Sequence, residues 1–323
     1  SMLIGIFAPE HDVQAHARQD RLEALQSGCV RRFLIPPAQG DRLVMDSGTL
    51  CWNGTALTQL DAAFVRGFAY CDPVIPSGQL DLDWSVWRYE YLATQQTYSS
   101  LCSIFLELER RGVRTINGVD THLMAFMKPA LLETLRQQGL CVPDTLVTNR
   151  TEDAADYMRR YGTVVWRPCT GRAMYQAFLE PQRTALISLL RPPPLLAQVV
   201  TGALYRGYLF DGVPLATLQS SSPCDTPPER LEEFWEVPCP AEALPDLARV
   251  AEVLKAHWLQ VLFVLKDGRA WIYDVDADPL YNSLPAAIQA RLSERLARGL
   301  FGLPTAGGEK AEMTFEVVLV AAG

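Results

Sequence analysis

Two carboxylates, Asp274 and Asp276, stand two residues apart near the end of an apolar run that is closed by Pro279. They belong to the stretch FVLKDGRAWIYDVDADP (Phe263–Pro279), where an Asp-Gly turn between two apolar runs predicts a β-hairpin. Residues i and i+2 of a strand point to the same face, so both carboxylates converge on one spot. Such a pair suits Mg²⁺, a hard ion that takes oxygen ligands; the plain alternative is a solvated strand end. An EF-hand loop is excluded, because its sixth position, which needs Gly, is Pro279 and its twelfth, which needs Glu, is Pro285. Zinc is disfavoured, since His11, His16, His122 and His257 are scattered and lack thiol neighbours at ligand spacing.

Three cations complete the chemically suggestive set. Arg167 closes the buried-strand signal TVVWRP, where its planar fork can clamp phosphate oxygens or its stem can snorkel to solvent. Lys128 lies in a helical stretch and is followed by Pro129, which predicts a break or restart there; taken alone it reads as a solvated helix lysine. Arg206, inside LYRGYLF, falls among apolar neighbours on a sheet surface, so a carboxylate or a bound anion is expected beside it. The chain has no GxSxG elbow, no GxxxxGK[ST] loop and no GxGxxG, which leaves hydrolase, P-loop and Rossmann readings without local support.

The elements that must position these residues alternate in type. LIGIFA reads as a buried strand, His11 to Gln26 as a helix, VRRFLIPP as a second strand and LVMDSGTLCWNG as a meander. AAFVRGFAY carries Arg66 on a further strand, and Asp83 to Arg111 forms a long helix that ends at Gly112. RTING is a short strand and turn, and Asp120 is the expected N-cap of a helix running to Gln138. Further strands are expected in VPDTLVT, TVVWRP and LLAQVVTG, with a hairpin turning at Asp211-Gly212 and a Ser- and Pro-rich surface loop over Ser220–Pro240. A helix over 241–257, one over 285–298 and a last strand MTFEVVLV close the chain.

With 323 residues the chain suits two or three subdomains. A net charge of −8 argues against a nucleic-acid partner, because phosphate backbones need a basic footprint. No apolar run reaches membrane-spanning length and no basic leader is seen, so neither a membrane partner nor export is expected. The eight cysteines include no CxxC pair and read as reduced thiols, which fits a cytoplasmic protein.

In this order the pieces resemble the ATP-grasp superfamily, nearest its ribosomal-S6-modifying and glutathione-synthetase-like branch. The resemblance runs from ING through Lys128, LRQQGLCVPDT, TVVWRP, LLAQVVTG and LYRGYLFDGVPLATL to DGRAWIYDVDADP. It implies an α/β fold, α+β in its C-terminal half: an N-terminal α/β domain (1–117), a central subdomain (118–191) and a C-terminal subdomain (192–323), the latter two enclosing a nucleotide. The implied cofactors are ATP and Mg²⁺, and the implied reaction joins a carboxylate to an amine through an acyl phosphate, on a small-molecule or peptide substrate. By position, Lys128 and Arg167 approach the phosphates, and Gln198, Val199 and Val200 supply backbone to the adenine. Arg206 stabilises the transferring phosphoryl group, and Asp274 and Asp276 hold the metal. Two departures stand out. Val261 and Leu262 occupy the strand where the family places a further metal carboxylate, and the glycine-rich loop is here CTGRAMYQ, with a single Gly. They give the alternative expectation of a non-catalytic nucleotide-binding or scaffolding protein. The long 83–111 helix, with its Trp and Tyr residues, offers a surface for a homodimer.

Overall fold

The structure is a computed structural model that describes residues 2–67, 83–171, 175–177, 193–220, 233–302 and 317–319. It divides into two compact units, Ser1–Asp120 with Ser293–Ala306, and Thr121–Leu292 with Gly307–Gly323.

The first unit opens with β1 (Ile4–Ala8), α1 (Val13–Leu25) and β2 (Val30–Leu34). A small antiparallel meander follows, β3 (Leu43–Met45), β4 (Leu50–Trp52) and β5 (Thr55–Ala56), and then β6 (Ala62–Val65), α2 (Trp84–Arg110) and β7 (Arg114–Ile116). The main sheet has the order β2-β1-β6-β7 and is parallel throughout. Its central strands are apolar and buried at every position, as a sheet covered on both faces requires. Asp12 caps α1, accepting from the Ala15 N–H at 2.6 Å, and the same carboxylate receives the buried Arg66 through Nε and Nη2 at 3.2 and 2.8 Å. Arg66 is therefore neutralised inside its own unit. On α2, Trp87 stacks on Tyr91 with ring centres 5.7 Å apart, and Val86, Trp87, Tyr89, Tyr91 and Leu92 are exposed.

Two antiparallel sheets build the second unit. Helix α3 (Val119–Phe126) carries Asp120 in its first turn, so Asp120 is not the cap that the sequence suggests. Helix α4 (Lys128–Gln137) restarts at Lys128 with Pro129 in its first turn, where the missing N–H costs no helical bond. Next come β8 (Thr145–Val147), α5 (Thr151–Tyr161), β9 (Val164–Arg167), β10 (Gln176–Ala177) and β11 (Leu195–Gln198), with sheet order β10-β9-β11-β8.

The larger sheet follows from β12 (Ala203–Phe210), β13 (Val213–Ser220), β14 (Glu233–Glu236), β15 (Trp258–Lys266), β16 (Arg269–Asp276) and β17 (Val317–Leu319), in the order β16-β15-β12-β13-β14-β17. Helix α6 (Leu244–Leu254) precedes β15, and α7 (Ala286–Leu300) follows β16. Strand β14 corrects the expectation of a continuous loop over 220–240, because pairing with β13 orders a segment whose composition favours loop. Residues 221–232 of that expected loop, and those of MTFEVVLV outside β17, lie beyond the described residues.

One face of the larger sheet is the main core of this unit. Leu131, Leu132 and Leu135 of α4 and Leu247, Val250 and Leu254 of α6 pack on Leu209, Leu259, Val261, Phe263, Ile272 and Val275. Ile272 is fully buried there, and its N–H donates to the Cys141 carbonyl at 2.8 Å. Ile272→Val removes one methylene from this face and is expected to cost about 1 kcal/mol in urea unfolding while leaving ligand binding unchanged.

Candidate functional site

Three elements of the second unit bring two cations onto one carboxylate. Lys128, the first residue of α4, donates its main-chain N–H to the Cys169 carbonyl at 3.0 Å. Its Nζ reaches β16, donating to the Val275 carbonyl at 2.9 Å and pairing with Asp274 Oδ1 at 2.8 Å. Arg167, at the end of β9, holds Asp274 Oδ2 through Nη1 at 2.6 Å. Its remaining donors organise the following turn, Nη2 to the Gly171 carbonyl at 2.7 Å and Nε to the Pro168 carbonyl at 3.2 Å. The Tyr175 ring lies 5.5 Å from the guanidinium centre.

Lys128 and Arg167 are only 2 % and 1 % exposed, and Asp274 is half-buried. Burial pushes the Asp274 carboxyl up, but the charges of Lys128 and Arg167 outweigh it and hold the group below the ordinary carboxylate range. Two fixed cations share one carboxylate, so the trio carries net positive charge and suits an anion with several oxygens, such as phosphate.

Sheet register places the other candidates. Arg206 pairs with Leu262, and Leu262 with Asp274; Tyr208 pairs with Gln260, and Gln260 with Asp276. Arg206, Asp274 and Asp276 therefore share the face opposite the helix-covered core, with Arg206 two strands, about 10 Å, from Asp274. The Arg206 guanidinium lies over Phe234 at 4.7 Å, and Asp276 Oδ1 accepts the Asp278 N–H at 2.9 Å. Leu262, apolar and buried, separates Arg206 from Asp274. Among the described residues no cluster of three His, Cys, Asp or Glu side chains could hold a metal ion on its own.

Gln198 ends β11, its N–H donating to the Asp144 carbonyl at 3.0 Å. Val199 is half-buried and Val200 buried. Here the structure adds a residue that the sequence reading passed over. The Tyr273 hydroxyl donates to the Gln198 carbonyl at 2.7 Å and accepts the Val200 N–H at 2.8 Å. Tyr273 sits where the strand pairing slips: Leu262 pairs with Asp274 but Phe263 with Ile272, so Tyr273 is the extra residue of a bulge. Arg167 and Tyr175 likewise tie the turn after β9 to β16, a role with no signal in spacing.

No protein-family model and no curated protein matches the chain. Solved structures match it over nearly its whole length. An ATP-grasp ligase, PsnB, complexed with a minimal precursor superposes with a TM-score of 0.76 at 18% identity, covering 94% of this chain and 99% of that one. The macrocyclase MdnC of Microcystis aeruginosa MRC, bound with precursor peptide MdnA, gives 0.73 at 14% identity over 93% and 99% of the two chains. A RimK domain ATP-grasp protein from Sphaerobacter thermophilus gives 0.62 at 15% identity over 93% and 100%. The alternation of a parallel N-terminal sheet with two antiparallel sheets, and the agreement with these structures along the chain, show that this protein has the ATP-grasp fold.

Proposed function

We propose that the chain is an ATP- and Mg²⁺-dependent ligase that activates a carboxylate as an acyl phosphate and joins it to an amine of a peptide. The observation that carries this reading is the Lys128–Asp274–Arg167 trio, two buried cations fixed from different elements around one ionised carboxylate. Phosphoryl transfer is mainly a matter of positioning and charge stabilisation, and buried, preorganised cations supply both. Lys128 and Arg167 hold the phosphates, and Arg206, on the same sheet face, meets the phosphoryl group as it transfers.

Mg²⁺ commonly needs only one or two protein carboxylates when phosphates complete its coordination, and Asp274 and Asp276 make such a pair on one face. When bound, the ion neutralises charge on the transferring phosphate. Asp274, kept ionised, is ready to accept it. A peptide as substrate is supported by the likeness to PsnB and MdnC, both seen with precursors. The free thiols Cys29, Cys51, Cys102, Cys141, Cys169 and Cys239 support a reducing, cytoplasmic setting. The exposed Trp87 and Tyr91 stack on α2 supports a homodimer through that helix.

The test is incubation of the protein with ATP, Mg²⁺ and a panel of peptides rich in Asp, Glu and Lys. The expected result is ADP and phosphate release coupled to a peptide product lighter by one water. Turnover of none of the peptides, by protein that binds ATP, would favour the second reading of a nucleotide-binding protein without catalysis, for which Leu262 in place of a metal carboxylate speaks.

A further inference from the structure

The backbone at the end of β11 offers a ready-made recognition edge, and that edge is already filled. The Gln198 carbonyl and the Val200 N–H, an acceptor and a donor two residues apart, are both satisfied by one atom, the Tyr273 hydroxyl. A hydroxyl can do this because it donates and accepts through a single oxygen. The Tyr273 ring is 1% exposed and sits in an apolar nest of Val165, Ala197, Val200, Leu204, Leu262 and Val264. Tyr175 braces it edge-on at 5.4 Å and 86°, and the Tyr175 hydroxyl donates to the Tyr273 carbonyl at 2.9 Å.

A flat base with an amino donor beside a ring-nitrogen acceptor, which is what adenine presents, needs the same carbonyl and the same N–H. An apolar nest with a few fixed polar groups is also the kind of pocket such a base enters. We infer that Tyr273 is a built-in competitor for the nucleotide base: the base gains its polar contacts only when the hydroxyl gives up both bonds. Lys128 and Arg167 hold the phosphates independently of this exchange. Tyr273 thus sets how much of the affinity comes from the base rather than the phosphates. The inference rests on the nucleotide reading given above.

The test is calorimetric titration of ATP, and separately of tripolyphosphate, into the wild-type protein and Tyr273→Phe. Phenylalanine keeps the ring in its nest and frees the backbone edge. ATP affinity is expected to rise about tenfold, the worth of one or two neutral hydrogen bonds, while tripolyphosphate affinity stays unchanged. Hydrogen exchange supplies a second readout: the Val200 amide should exchange faster in the variant and regain protection with ATP. Tyr273→Met, which also lacks the hydroxyl, repeats the test should the phenylalanine variant not fold. Equal or weaker ATP binding by the folded variant, or an equal gain for tripolyphosphate, overturns the role of Tyr273 and leaves the nucleotide reading standing. Binding of neither ligand by any of the proteins overturns both.

Discussion

Lys128→Met is expected to weaken ATP binding about 10- to 100-fold, the loss of one charge-assisted contact to a phosphate. Methionine keeps the length and apolar stem of the side chain, so the buried path from α4 to β16 stays filled. What disappears is the ammonium that now bonds Asp274 and the Val275 carbonyl. Removing it also leaves Asp274 with Arg167 alone, so the trio changes from net positive to neutral and stops attracting an anion. Binding measured at low and high salt separates the two contributions, since screening acts less on buried than on exposed charge. Affinity retained within a factor of two would place the phosphates away from Lys128.

Asp274→Ala acts in the opposite direction on charge and should have the largest effect on stability. It leaves Lys128 and Arg167 buried side by side with no carboxylate between them. Removing one partner of a buried ion pair typically costs about 3–5 kcal/mol; the half-buried position of Asp274 argues for the lower end, about 3 kcal/mol. The pH dependence has a definite sign. The folded-state carboxyl is held below its ordinary range, so Asp274 contributes stability that is fully present above the unfolded carboxyl value of about 3.9. That contribution is lost as the pH falls through the lower folded-state value. The gap between wild type and Asp274→Ala in urea unfolding should therefore be constant near neutrality and narrow below about pH 4. A gap that widens in acid would mean that the two cations do not stabilise the ionised form.

Much of this arrangement was legible in the residues, and the reason is local. The Asp267-Gly268 turn and its flanking apolar runs specify β15 and β16, and the two-residue repeat then puts Asp274 and Asp276 on one face. Pro129 marks the restart of α4 that sets Lys128 in its first turn, and the apolar run before Arg167 ends β9 there. What spacing does not carry is the meeting of Lys128, Arg167 and Asp274, which depends on how α4, β9 and β16 pack.

Tyr273 shows a second limit. Strict alternation would turn Tyr273 away from the Asp274 face and bring Ile272 onto it. The bulge reverses both, sending Ile272 into the helix-covered core and Tyr273 into the nest beside β11. A bulge inside a continuous apolar strand has no marker such as Gly, so nothing in IYDVD announces it. Strand β14 was hidden for another reason, since its pairing with β13 outweighs a composition that favours loop.

The central claim is that the trio holds a nucleotide's phosphates with Mg²⁺, and calorimetric titration of ATP into the wild-type protein tests it most directly. The titration is run once with excess Mg²⁺ and once with the metal chelated. Saturable binding that tightens with Mg²⁺ is the expected result, because Asp274 and Asp276 then share the ion with the phosphates. Absence of saturable binding at millimolar ATP, in protein shown to be folded, would contradict the account.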